Sequence, residues 1–429
     1  MRQVSATEPV NAARRWFIAP GERASLAAAA ATYFLLLCGY YMLRSLREAM
    51  ALEAGSERIP LFFLITLVTM LAILPVYWWV VARVSRRRLM ACVYLPVIAL
   101  FATLASFAGS GHVTPTLAGI YFVSIAALNL FVISVFWSVM VDLWRPQSAQ
   151  RVFGMVAAGG SAGALCGPAF NAFFVEALGA TAVIYVACVL LVAAVAMAMI
   201  ARNLRARVDP AISNEASVAV GGRAIEDLAR LARSPYLLLI AGLIVMTQIF
   251  GAFMYNEQAK YVEAAYSGLA ARAAIFARID LASNILSLAM QALLVGWLTA
   301  RGGVRATLTV AWGIIAVSFA LLAAMPSGAL LLITQVVRRG CDYGLFKPAR
   351  EMLFTVLAPQ SKFKSKSLID TVLHRGADSI GNGLYVLLSG VGLAAIAGLC
   401  AAACVLLVVG ARWLGAAFTD QESRTSRSD

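Results

Sequence analysis

Residues 335–382 read Gln335-Val-Val-Arg338-Arg339-Gly-Cys-Asp342-Tyr343-Gly-Leu-Phe-Lys347-Pro-Ala-Arg350-Glu351, then Met-Leu-Phe-Thr-Val-Leu. A short polar loop with Lys362, Lys364 and Lys366 follows, and then Leu-Ile-Asp370-Thr-Val-Leu-His374-Arg375-Gly-Ala-Asp378-Ser-Ile-Gly-Asn382. Both flanks are apolar enough to cross a membrane, yet each carries several charges. If the first crossing starts near Gly328, Arg338 lies about 15 Å along a helix. That is about half of a hydrocarbon core roughly 30 Å thick. Arg375, nine residues past Lys366, reaches a similar depth from the other side. A charge at mid-bilayer costs roughly 2.5–3.5 kcal/mol on insertion scales. Arg338, Arg339, Asp342, Arg375 and Asp378 are therefore expected to face a protein interior or a watery cavity, partly paired. The spacings Arg338/Asp342 and Arg375/Asp378 put each pair on one helix face.

The composition agrees. The chain has 429 residues, 62% hydrophobic and 13% charged, with a mean hydropathy of +0.83. Globular chains are about 45–50% apolar and about 25% charged, so this is a polytopic, all-α integral membrane protein. The net charge of +14 does not read as nucleic-acid binding, because the basic residues sit in short loops between apolar runs. That is the pattern of cytoplasmic loops beside anionic headgroups. The seven cysteines fall inside apolar segments and form no CxxC, and there are only two histidines, so no metal site is expected. No cofactor motif is present. The glycines 159, 163 and 167 lack the preceding strand and the Gly-Lys-Ser/Thr ending of a phosphate-binding loop. They read as a small-residue stripe for close helix packing.

Twelve crossings are expected, at about 25–50, 60–82, 88–109, 115–141, 153–176, 179–201, 236–260, 274–300, 304–325, 328–357, 367–389 and 391–413. Arginines and lysines concentrate in alternate loops, so both termini are expected to be cytoplasmic. The organisation that follows is an N-terminal tail (1–24), a six-helix bundle (25–201), and a cytoplasmic linker (202–235) with an amphipathic helix over 223–232. A second six-helix bundle (236–413) and a C-terminal tail (414–429) complete it. The halves echo each other. Ala82-Arg83-Val-Ser-Arg86-Arg87 follows the second span, and Gly296-Trp-Leu-Thr-Ala300-Arg301-Gly302-Gly303-Val-Arg305 follows the eighth. Arg83 and Arg301 are 218 residues apart, as are Gly163 and Gly381. Repeats of six spans with a site at mid-membrane between them are a transporter architecture.

These loops resemble the G-x-x-x-D-R-x-G-R-R pattern of the major facilitator superfamily, with alanine in place of the acid. Gly163-Ala-Leu-Cys-Gly167-Pro168 is similar to the start of that superfamily's antiporter motif. A narrower resemblance, to the nucleotide (ATP/ADP) translocase family, rests on several stretches. They are Tyr40-Tyr41-Met-Leu-Arg44-Ser-Leu-Arg47-Glu48, Asn129-Leu-Phe-Val-Ile-Ser-Val-Phe-Trp137, Arg151-Val-Phe-Gly154 with Ala158–Gly163, and Lys347-Pro-Ala-Arg350-Glu-Met-Leu-Phe-Thr. The resemblance implies exchange of nucleotides, with Arg44 or Arg47, Asp280 and Arg375 at positions that matter for transport.

Charges on spans 1, 7, 8, 10 and 11 fit one central cavity. Arginine forks match phosphate and carboxylate, and lysine adds a point charge. Tyr41, Arg44, Arg47, Lys260, Arg278, Arg338, Arg339 and Arg375 are the candidate substrate contacts. Glu48, Glu257, Asp280, Asp342, His374 and Asp378 are the candidates for gating or ion coupling. His374 qualifies because an imidazole titrates near neutrality. The expected protein is a secondary-active, alternating-access carrier of a small anionic metabolite, with nucleotide exchange as the reading that the resemblance implies. It is expected to be a monomer in the lipid bilayer of a bacterial inner membrane. The competing reading is a proton-coupled carrier of a non-nucleotide metabolite. A membrane-embedded enzyme would need a nucleophile–base or metal constellation, and the sequence offers none.

Overall fold

The computed structural model describes residues 20–84, 88–109, 113–144, 146–208, 235–354 and 373–428. Every regular element among them is helical. In the first half these are α1 (Pro20–Glu53), α2 (Ile59–Arg83), α3 (Leu89–Gly109), α4 (Pro115–Leu143), α5 (Pro146–Leu178) and α6 (Ala180–Val208). In the second half, α7 is Pro235–Ala265 and α8 is Leu269–Met290. A single π-helical turn, Gln291–Val295, leads from α8 into α9 (Gly296–Ala324). α10 (Gly328–Cys341) passes through another π turn, Asp342–Phe346, into α11 (Lys347–Leu353). α12 (His374–Leu388) and α13 (Leu393–Ser428) complete the chain.

Among the described residues, nine segments are long and apolar enough to cross a membrane. One of them, Leu269–Ala324, has 56 residues, about 84 Å of helix, far more than one bilayer needs. It breaks at Gly303, whose φ of 63° and ψ of −164° are non-helical and lie in a region open essentially to glycine alone. The break falls between the crossings expected at about 274–300 and 304–325. The amphipathic helix expected over 223–232 and the lysines 362, 364 and 366 lie outside the described residues. Helix α6 runs on to Val208 and α13 to Ser428, past the ends at 201 and 413 expected for those spans.

Two hydrophobic clusters organise the packing. One draws on α1 to α6, together with Ala259 and Val262 of α7 and Ala273, Ala274 and Phe276 of α8. The other is built from α7 to α13. In the first, α1 is the central post, packed by α4, α5 and α6. Its fit against α5 depends on the glycine stripe. A Cβ on Gly159 would lie 2.5 Å from the Ala30 carbonyl oxygen, and one on Gly167 would lie 2.5 Å from that of Cys38. Small residues bring the backbones into contact where lipid supplies no hydrophobic drive. Arg205 ties one end of this half together. It pairs with Glu22 of α1 at 2.7 Å, and its Nε donates to the Leu143 carbonyl at the end of α4.

The opposite end joins the two halves. Arg272 of α8 pairs with Glu53 of α1 at 2.9 Å, and the Ser56 amide donates to Glu263 of α7 at 3.2 Å. Deeper in, Phe63 stacks edge-on against Tyr255, and Asn284 of α8 donates to the Ala164 carbonyl of α5 at 2.8 Å.

Candidate functional site

Three helices that begin or end at this joined end bring charge to one depth. Arg44 is nine residues before the end of α1, and Asp280 and Arg339 are eleven residues into α8 and α10. At 1.5 Å per residue these are about 14–17 Å from the helix ends, close to the middle of a roughly 30 Å core. They meet. Arg339 Nη2 lies 2.5 Å from Asp280 Oδ1, and Arg44 Nε lies 3.8 Å from Asp280 Oδ2. Asp280 and Arg339 are buried, 4% and 8% exposed, so each needs the other: an unpaired buried charge is costly.

A cavity of about 570 Å³, counted with its open mouth, surrounds this cluster. Arg44 and Glu48 come from α1, Asp280 from α8, Arg338 and Arg339 from α10, and Asp342 from the π turn. Arg338 and Arg339 are both expected to face inward, although adjacent helical residues diverge by about 100°. Both line the cavity. Arg338 is held by Gln335, whose Oε1 accepts from Arg338 Nε at 3.0 Å. Glu48 is gripped by the Arg47 guanidinium and by the Tyr255 hydroxyl of α7. Arg47 is steadied over the Phe122 ring at 4.6 Å, so it acts from behind Glu48. Tyr41 sits one turn before Arg44, with its ring 5.5 Å from that guanidinium.

Several of the expected residues, Arg278, Glu257 and Lys260 among them, are not on the cavity wall. Arg278 is about half exposed and pairs with Glu176 of α5 at 3.5 Å. It is two residues from Asp280, about 200° around the helix, so the two cannot share a face. Glu257 and Lys260 belong to the α7–α12 contact, where the Tyr385 hydroxyl donates to Glu257 at 2.6 Å. Lys260 is exposed and stacks on the Tyr385 ring at 4.9 Å. Arg375 lies on α12, and its side chain is outside the described residues. His374 and Asp378 stand one layer behind the wall. His374 Nδ1 is 3.8 Å from Asp378, and the Gln248 side-chain nitrogen is 2.8 Å from His374 Nε2. Gln248 itself lines the cavity.

Sequence reasoning gave no role to Gln248, Gln335, Gln258 or Tyr255. Their signal was depth: each is a polar residue well inside an apolar helix. Among the described residues no group of His, Cys, Asp and Glu is placed to hold a metal ion. All seven cysteines are free.

Long apolar helices around a charged chamber define a class, a multi-pass membrane transporter rather than an enzyme. Residues 29–363 match the family model of the Major Facilitator Superfamily, and the chain belongs to that superfamily. Solved structures share the fold at low identity. A transporter of the POT family, in complex with a thioalcohol-conjugated peptide, is 10% identical with a TM-score of 0.58, covering 90% of this chain and 94% of its own. A bacterial homologue of the human lysosomal transporter Spinster, inward-facing and unoccupied, is 15% identical with a TM-score of 0.53, covering 94% and 95%. The nucleoside transporter NupG is 12% identical with a TM-score of 0.51, covering 92% and 99%. Comparison with curated proteins gives no match.

Proposed function

We propose that the protein is a secondary-active carrier of a small anionic metabolite, working by alternating access. The chain then crosses the membrane twelve times, in two six-helix bundles with both termini cytoplasmic. The break at Gly303 divides Leu269–Ala324 into two crossings, and Gly328–Leu353 and His374–Leu388 mark two more beside the remaining apolar segments. The joined end, with Glu53 and Arg272, is the outer side, which carries few basic loop residues.

The observation that carries the reading is the convergence of arginines from both halves, Arg44 from α1 and Arg338 and Arg339 from α10, on one mid-depth cavity. Cations from both moving parts let a bound anion bridge them, and buried guanidinium forks are the side chains best matched to carboxylate and phosphate. The test is uptake into proteoliposomes of labelled inorganic sulfate, pyruvate and ATP, with an uncharged sugar as the control. Uptake of an anion, lost in Arg339→Ala and in Arg44→Ala while both variants stay folded, supports the reading. Uptake of the sugar and of no anion refutes it.

Nucleotide exchange is the second reading. Its specific support is the pairing of three arginines with the Tyr255 and Tyr343 side chains on the same wall, cations for phosphates beside rings that a base can stack on. It requires ATP uptake only into vesicles preloaded with ADP.

A further inference from the structure

Asp280 already occupies the place that an anion would take. Its carboxylate stands between guanidinium groups from the two halves, 2.5 Å from Arg339 and 3.8 Å from Arg44. Its Oδ2 is buried and accepts no hydrogen bond among the described residues, so one face of the carboxylate is held by charge alone. The surrounding groups close on themselves. From α1, Glu48 is taken up by Arg47 and Tyr255. From α10 and its π turn come Arg338, Asp342 and Tyr343. On the other flank of α8, the one acid of α5, Glu176, is drawn away onto Arg278. The wall thus carries three cations (Arg44, Arg338, Arg339) and three carboxylates (Glu48, Asp280, Asp342).

Arg338 is held by the Gln335 amide, but an anion that is to bridge the two halves through Arg44 and Arg339 must take those donors from the Asp280 carboxylate, and it brings at least one surplus negative charge into a poorly hydrated place. A buried carboxylate stripped of its cations is costly, and it neutralises by taking a proton. We propose that Asp280 is an internal competitor that the transported anion displaces, and that its protonation on displacement couples each anion to one proton. This rests on the anion-carrier reading above. In the step, the ion pairs of Asp280 with Arg339 and Arg44 break and the anion pairs with the same guanidinium groups. A proton from the water of the cavity then bonds to the freed carboxylate. On release the anion leaves, the proton returns to water, and the original pairs re-form. One anion and one proton move together, without a counter-substrate.

The experiment is thermal denaturation of the purified full chain, titrated with inorganic sulfate and with pyruvate between about pH 5.5 and about pH 7.5, where neither probe titrates. Uptake of one proton on binding tightens the apparent affinity up to about tenfold per unit of falling pH. In Asp280→Asn the competitor and the proton acceptor are both gone. Binding at the higher pH should then be at least about fivefold tighter and independent of pH. Wild-type binding without a pH slope, or a slope that survives in Asp280→Asn, would overturn the proposal, and the first outcome needs no variant to fold. If neither probe stabilises a wild-type protein that melts cooperatively, and the uptake assay above moves the sugar and no anion, the anion-carrier reading itself fails. In vesicles carrying a pH dye, the wild type should acidify the lumen on addition of the anion that binds. Asp280→Asn should exchange anion for anion with no acidification.

Discussion

Arg278 and Asp280 are two residues apart on α8 and do different things. Asp280 is buried against Arg339 and Arg44, whereas Arg278 shares an exposed flank with Glu176. Removing one partner of a buried ion pair costs about 3–5 kcal/mol, because the survivor is left uncompensated, while an exposed pair contributes little. Arg339→Ala should therefore lower the melting temperature markedly and abolish anion uptake. Arg278→Ala should leave the melting temperature near that of wild type and uptake within about twofold of it, as an exposed pair allows. The double variant Arg339→Ala/Asp280→Ala should regain much of the lost stability but none of the transport, a pattern that differential scanning fluorimetry and uptake read separately. If the double variant melts no higher than the single one, the pair is not what holds these helices together. The charges of this site were legible in the sequence because an ion at mid-depth in an apolar helix is expensive whatever its neighbours. Their facing was less so. Helical spacing relates Arg278 to Asp280, but no spacing relates α8 to α1 or α10. Gln248 and Gln335 stand out less than a charge does, since an amide in a membrane helix can be satisfied within its own bundle.

The helices repeat more faithfully than the site does. Trp79 and Trp297, 218 residues apart, stack under Arg83 and Arg301 at 4.8 and 4.5 Å. Gly163 and Gly381 press on Phe34 of α1 and Ala252 of α7, positions with the same separation. The scaffold was legible in the sequence through these echoes and the glycine stripe of α5. The cavity was not, because its residues have no such counterparts: Phe62 and Tyr121 stand 218 residues before Asp280 and Arg339. Close packing gives the stripe a measurable consequence. A Cβ on Gly163 would collide with the Phe34 carbonyl oxygen and lie 3.0 Å from the Cys38 amide, whereas one on Gly154 meets nothing within 4 Å. Gly163→Ala should cost about 1–3 kcal/mol by overpacking. Gly154→Ala should be neutral, or stabilising by up to about 1 kcal/mol through helix propensity. Equal melting temperatures for the two variants would mean that α1 and α5 do not meet along this stripe. Gly303→Ala tests the break in α9 in the same way, with a loss of about 1–3 kcal/mol from placing a side chain at a glycine-only conformation.

At the scale of the whole molecule, the halves touch on one side of the cavity. The contacts between Glu53 and Arg272, Ser56 and Glu263, and Phe63 and Tyr255 lie between the charged cluster and the turns joining α1 to α2 and α7 to α8. Past Ala164 and Asn284, where α5 and α8 still meet, Met155, Ile285, Leu288 and Leu293 are exposed. Under the alternating-access proposal, this joined end has to part. Arg272 and Glu53, 2.9 Å apart, are the place to hold it shut. In a chain with its seven cysteines replaced, Glu53→Cys/Arg272→Cys should form a disulfide under mild oxidation. Uptake should then fall to the level of protein-free vesicles and return on reduction. If the cavity opens on the opposite side, anion binding should survive the cross-link, and a thermal shift with sulfate measures it. Each half of the result carries separate weight. Transport that continues through the cross-link would mean that the halves do not separate here. Binding lost along with transport would mean that the cavity is entered through this end, which would reverse the assignment of the closed side.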